Sequence, residues 1–433
     1  MSPYGRRNSP RILIAGAGIG GLTTALSLHA AGLDDVLIVE ACPNLRAVGA
    51  GINLQPAAVR ELTELGLAPA LEEAAVATAR LEYHHRYGGL IWSEPRGRAA
   101  GYNWPQYSVH RADLQDILLT AVLDRLGPEA LVTGDRLIRY EQDQHPERGR
   151  RPVRAYVADR PSPYTCDLLI GADGINSAVR ATLYPHEGPP LGNGIRMWRG
   201  VTEGPAFLDG RTMVILGCNA RVKAVAYPVT RPDESGRCLL NWVVESRTAD
   251  GVGEEEARGA DWDRAVPPEE VLTHIEGWRS DFLDLHAVIA AAPRIGCYPM
   301  IDRDPLPTWV DGRVVLLGDA AHPLYPTGSN GASQAVVDAR VLAYELAHHG
   351  LAEALARYEA DRRPQTAKLL AAHRRLEPDP VLRQVEALAP DGFHDIRHVL
   401  PEDGLDGLKS CTRQVTGVDA TALNARTSWS VAV

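Results

Sequence analysis

Lysine is scarce in this chain. Of 45 basic residues only Lys223, Lys368 and Lys409 are lysines, and the arginines are scattered along 433 residues. With a formal net charge of −10, that scatter excludes the concentrated basic face that nucleic acid or an anionic membrane requires. Phenylalanine occurs only three times. No apolar run is long enough to span a membrane. The six cysteines (Cys42, Cys166, Cys218, Cys238, Cys297, Cys411) lie far apart with no C-x-x-C pair. That excludes the usual metal and disulfide frameworks and predicts reduced thiols in the cytoplasm. The first ten residues run directly into a short apolar segment, a leader to a first strand rather than a signal peptide. No Ser/His/Asp constellation is visible. What is present is an ordinary globular composition, 45% hydrophobic and 23% charged, on a chain long enough for two or three domains.

Two glycine-rich turns carry most of the information. The first, G-A-G-I-G-G from Gly16 to Gly21, follows the apolar run Ile12 to Ala15 and opens a helix-like run, Leu22 to Ala31. Val36 to Val39 reads as a second strand, ended by Glu40. This is a βαβ dinucleotide pattern. Gly16 permits the tight turn, Gly18 lets backbone approach a pyrophosphate, and Gly21 lets helix and sheet close up. The helix N-terminus offers free N–H groups to phosphate. Glu40 accepts from a ribose diol and repels a 2′-phosphate. The pattern alone does not separate NAD from FAD.

The second turn, Gly318 to Gly331, follows the strand-like Arg313 to Leu317. Asp319 is placed to bind a polyol, and Pro326 to Gly331 opens a helix from Ala332 to about His348, with Asn330 or Ser329 as cap. Exposed N–H groups there suit a delocalised anion such as a reduced flavin. Between the turns lie Asp167 to Ile170, a strand followed by Asp173-Gly174 and a helix from Ala178. Val109 to Arg111 is a strand end entering the helix Ala112 to Leu126, with Arg111 as a phosphate or flavin-edge partner or a surface ion-pair residue.

Together these motifs resemble the single-component FAD-dependent aromatic hydroxylases, the family of para-hydroxybenzoate and salicylate hydroxylases. Within it, G-A-G-I-N-L-Q-P-A-A-V (49–59), W-S-E-P-R-G (92–97), P-Q-Y-S-V-H-R (105–111), M-W-R-G-V-T (197–202) and Y-P-M-I-D-R-D-P-L-P-T-W (298–309) are most similar to phenazine hydroxylases. The chain departs from that pattern after about residue 375. The resemblance implies an α/β fold: a Rossmann-like FAD lobe, an antiparallel sheet lobe over the flavin, and a helical C-terminal region. Residues 11–75, 106–190 and 300–365 would form the FAD lobe, 76–105 and 191–299 the substrate lobe, and 366–433 the C-terminal segment. The FAD contacts implied are Gly16, Gly18, Ile19, Gly20, Gly21, Glu40, Arg46, Gly51, Arg111, Asp173, Gly174, Gly318, Asp319, Pro326, Gly328, Asn330 and Gly331, with no metal.

The implied activity is hydroxylation of a planar aromatic by non-covalently bound FAD, NADH or NADPH and O2, through a C4a-hydroperoxyflavin. The nicotinamide would bind transiently, since no second G-x-G-x-x-G exists. Candidate pocket walls are Trp198, Arg199, Met213, Tyr227, Trp242, Tyr298 and Tyr325. Arg199 and Tyr325 are the candidates for positioning substrate, although Arg199 equally suits an ion pair joining the lobes. His84 and His85 read as structural. A monomer or homodimer is expected. Related flavin oxygenations (oxidative decarboxylation, epoxidation, N-hydroxylation) and a non-catalytic FAD-binding regulator are the alternatives.

Overall fold

The computed structural model describes residues 12–45, 50–143, 152–218, 220–247, 264–375, 380–400, 405 and 419–431. Ile12–Ala15 is apolar and buried at every position, as a strand covered on both faces must be. It pairs in parallel with Val36–Glu40 on one side and Leu168–Gly171 on the other. The six-stranded sheet runs Val310–Asp311, Val314–Leu316, Leu168–Gly171, Ile12–Ala15, Val36–Glu40, Leu131–Thr133. Its edge strand Val310–Asp311 is antiparallel.

This order decides where the motifs meet. Val314–Leu316, Leu168–Gly171 and Ile12–Ala15 are parallel neighbours. The turns that follow them therefore emerge side by side at the carboxyl edge of the sheet, the edge at which such sheets bind ligands. Backbone bonds tie the three exits together: Leu317 N–H donates to Gly171 O at 2.9 Å and Ala172 N–H to Ala15 O at 2.9 Å. The helix Ile19–Ala30 packs between Arg111–Leu126 and Gly331–His348. The largest hydrophobic core surrounds this sheet and these helices.

The second large sheet has eight strands, in the order Ala265–Val266, Ile295–Asp302, Leu191–Pro205, Arg237–Arg247, Val222–Pro228, Thr212–Cys218, Arg80–His84, Leu90–Pro95. It is antiparallel except where Thr212–Cys218 meets Arg80–His84, the seam at which a hairpin from a distant chain segment joins. The strand pairing also differs from the expected lobe boundaries. Val76–Thr78 pairs with Gln106–His110 beside Gly51–Leu54, not with the large sheet, and Ile295–Asp302 carries the large sheet past residue 300. Because strand side chains alternate between faces, Trp198, Leu216, Ala224, Trp242 and Val244 point away from the first lobe. They bury against the helices Pro268–Leu272 and Leu285–Ala290.

The C-terminal helix Pro380–Leu388 packs on the other face, against Leu81, Tyr83 and Ile91. Residues 419–431 return to the first lobe, where buried Arg60 donates to Leu423 O at 2.9 Å and Arg426 O at 2.8 Å, and Arg426 pairs with Glu61. Among the described residues, Cys42, Cys166, Cys218, Cys238 and Cys297 are not joined by disulfides. No described helix is long and apolar enough to cross a membrane.

Candidate active site

A cavity of about 430 Å³ opens between the two lobes. One end is lined by Gly18, Ile19 and Gly20, the middle by Arg111, Gly174, Gly318 and Asp319, and the far side by Pro326 to Gly331 and by the large sheet.

The first turn is shaped by close contact. Gly16 has φ +102, and a Cβ there would lie 2.4 Å from Ala172 O; a Cβ at Gly21 would lie 2.0 Å from Gly16 O. Both positions lack room for any side chain. Gly18 differs: a Cβ there would meet nothing within 4 Å, so its open side faces the cavity. Glu40 closes the turn from below. Its carboxylate accepts from Ala17 N–H at 2.7 Å and Cys42 N–H at 2.8 Å. A carboxylate has about four acceptor positions, so capacity remains for a diol. Gln115, in the helix Arg111–Leu126, donates to Ala17 O at 3.0 Å and braces the turn from the opposite side. Arg46 lies outside the described residues.

The second turn is held from behind by buried charge. Asp338 accepts from Gly318 N–H at 3.1 Å and pairs with His322 at 2.5 Å and Arg362 at 2.8 Å. Although buried, its carboxyl is held below the usual range by His322 and Arg362, which outweigh desolvation. Arg180 donates to Ala320 O and Ala321 O at 3.1 and 3.0 Å. Asp319 itself is left exposed to the cavity. Its pKa is raised by the enclosing walls, against the opposing pull of His322 and Arg111. Arg111 faces the same space, and enclosure lowers its pKa, with Asp319 opposing.

At the far end, Gly328 (φ +69) and Ser329 (φ +59) turn the chain into the 18-residue helix Gly331–His348. No Asn330 side-chain cap bond forms. Instead the turn is braced from Gln55, which donates through Nε2 to Gly328 O at 2.8 Å and through its backbone to Ser333 Oγ at 2.9 Å. Asn330, Gly331 and Ala332 line the cavity as Gly18, Ile19 and Gly20 do. Two long helices thus present their N-termini to one space, which favours a ligand with two separated anionic regions. The donor set, the open side of Gly18 and the exposed Asp319 fit FAD: a diphosphate, a polyol and a ring that becomes anionic on reduction.

The FAD binding domain family matches residues 10–190 and 302–373, the segments that build this end of the cavity. Phenazine 1,6-dicarboxylic acid hydroxylase PhzS of Lysobacter antibioticus is 44% identical over 370 residues, covering 84% of this chain and 89% of that protein. The 3-amino-4-hydroxybenzoate 2-monooxygenase of Streptomyces cremeus is 34% identical over 377 residues, 84% of this chain and 86% of that one. The chain belongs to the FAD-dependent aromatic hydroxylases. Klebsiella pneumoniae HpxO, solved with FAD and uric acid, shares the fold with a TM-score of 0.72 at 24% identity, over 94% of this chain and 97% of that one.

In this FAD-dependent hydroxylase the residues expected at the site divide. Asp173 does not reach the cavity. Its carboxylate accepts from Ser177 Oγ at 2.5 Å and from Ala178 and Val179 N–H at 2.7 and 3.3 Å, capping the helix Ala178–Leu183; only Ala172 and Gly174 of that turn line the space. Tyr325 is not on the lining either. It is buried beside Tyr227 and Met300 and engages Asp302, which Arg374 holds at 2.8 Å. Trp198 and Trp242 face the opposite side of the sheet, bonded to Glu270 at 2.9 Å and Thr202 at 3.0 Å. Tyr298 packs against the cluster around Tyr227 without lining the cavity.

Arg199, Met213 and Tyr227 do line it. Arg199 joins the lobes, donating through Nη2 to Gly51 O at 3.0 Å, while Gly51 N–H donates to Asn241 Oδ1 at 2.6 Å. Its buried Nε has no partner among the described residues. Tyr227, bonded to Asn53 and Arg199, has its pKa pushed up to about 12 by burial. Lys223, Glu245, Arg96 and Gln106 also line the cavity, and sequence reasoning missed them. Strand alternation was the available signal, because Lys223 and Glu245 share parity with Tyr227 and Arg199 once the strand register is known.

Proposed function

We propose that the chain binds FAD across the full cavity and hydroxylates a planar, fused heteroaromatic acid at the sheet end. The adenosine end would sit at Gly16–Gly21 with Glu40 on the ribose diol, Asp319 on the ribityl chain and Gly328–Gly331 at the ring. When bound, FAD supplies hydride acceptance from NADH or NADPH and the activation of O2. The protein's own part is placement, charge and exclusion of water. The N–H groups of the Gly331–His348 helix offset negative charge on the ring edge. Arg199, whose Nε has no partner among the described residues, binds a substrate carboxylate or phenolate. Val225, Val243, Met213 and Ile215 give that end apolar walls.

The observation that carries this reading is a single cavity lined at one end by the dinucleotide turn and at the other by Arg199 and Tyr227. The 44%-identical relative named for a phenazine dicarboxylate supports a fused heteroaromatic rather than a single ring. Five described cysteines outside any disulfide fit a cytoplasmic location.

The test is rapid mixing of the FAD-loaded protein with NADH or NADPH, alone and with phenazine carboxylates, hydroxybenzoates and quinolones. Flavin reduction is expected to accelerate with the phenazine acids. Equal rates with and without every planar aromatic would overturn the reading.

A further inference from the structure

The substrate end of the cavity carries a buried ion pair that the FAD site does not use. Lys223 and Glu245 lie directly opposite on adjacent antiparallel strands, with Nζ and carboxylate 2.9 Å apart and side chains 13% and 7% exposed. Both line the cavity. Their neighbours on the same face, Val225 and Val243, are apolar. A buried ion pair in such a place gains little over an apolar pair, because desolvation offsets its attraction. One of only three lysines in the chain is therefore kept where it adds little to folding and where a ligand can reach it.

Its position sets the size of that ligand. The sheet meets the FAD lobe at Asn241, which holds Gly51. Glu245 is four residues along the same strand, about 13 Å away at roughly 3.3 Å per residue. A single ring lying beside Gly51 ends well short of that distance; a fused tricyclic with a substituent on its outer ring spans it. Resting on the hydroxylase reading, we infer that Lys223 anchors a carboxylate on the distal ring of the substrate, that Glu245 holds the ammonium in place, and that this pair selects extended acids over monocyclic ones.

The test compares equilibrium binding of phenazine-1,6-dicarboxylate and unsubstituted phenazine to the FAD-loaded protein, read by perturbation of the flavin absorbance. Lys223→Met should weaken the diacid about 10- to 100-fold, the range for a charged hydrogen bond, and leave phenazine within about threefold. Lys223→Arg should retain most of the diacid affinity. The double variant Lys223→Met/Glu245→Met, which leaves no unpaired buried charge, should fold and show the same selective loss. Equal losses for both ligands, or none for either, would overturn the assignment. So would wild-type protein that responds to hydroxybenzoates but to neither phenazine. A flavin indifferent to every planar aromatic would instead overturn the hydroxylase reading, and this inference with it.

Discussion

Replacing Gly18 by alanine separates a cofactor contact from a folding constraint. Gly18 has φ −73 and ψ −178, an extended conformation open to any residue, and a Cβ there meets nothing within 4 Å. The apoprotein should therefore fold as well as wild type, or gain up to about 1 kcal/mol from a less flexible unfolded chain. With FAD the outcome reverses, because the added methyl occupies the side of the turn reserved for the diphosphate. Loss of one charge-assisted hydrogen bond is worth about 1.5–3 kcal/mol, so FAD affinity should fall about 10- to 100-fold. Gly16→Ala is the contrast. At φ +102 and 2.4 Å from Ala172 O, it should cost the apoprotein about 1–2 kcal/mol in backbone alone, before the clash. Thermal unfolding of both apoproteins and fluorescence titration with FAD give the four numbers required. Wild-type FAD affinity in Gly18→Ala, or a lowered melting temperature of its apoprotein, would contradict a diphosphate contact at Gly18.

Three further outcomes follow from the same geometry. Asp319→Ala should weaken FAD about tenfold or more without destabilising the apoprotein, since Asp319 faces the open cavity and the enclosing walls raise its pKa, disfavouring the charged form; a titration beside an apoprotein melt checks both. Asp338 has its pKa lowered by His322 and Arg362, so its contribution to stability is present above its unfolded pKa of about 4 and is lost as pH falls through the folded value. Asp338→Asn should lower stability by about 3–5 kcal/mol at neutral pH and flatten the acid limb of the melting-temperature profile. Leu382→Ala, at the cavity wall supplied by Pro380–Leu388, should lose about 2–4 kcal/mol of stability and shift substrate preference toward bulkier rings at unchanged FAD affinity, as ligand titrations would show.

The parts of this site legible in the sequence are those set by local sterics. The first turn is legible because backbone sterics act within six residues: Gly16 and Gly21 have no room for a Cβ, and Gly18 opens on the cavity. Asp319 followed from its place just beyond a buried strand. The sheet end was less legible. Trp198 and Arg199 are adjacent in sequence and point to opposite faces, and nothing in either strand says which face meets the flavin. Packing between distant segments decides that, through the Arg199 and Asn241 bonds to Gly51. Tyr325 looked well placed beside the second turn, yet the Asp302–Arg374 pair, brought in from another strand and a C-terminal helix, draws it away. Lys223–Glu245 is a register effect: neither residue is informative until their strands are paired.

The proposed function places FAD and an aromatic acid in one cavity for monooxygenation. Turnover of FAD-loaded protein with NADH or NADPH and a phenazine carboxylate under ¹⁸O₂, followed by mass spectrometry of the aromatic product, tests it most directly. The product should carry one ¹⁸O atom for each nicotinamide oxidised. A product without the label, or nicotinamide oxidation that ends wholly in hydrogen peroxide, would contradict it.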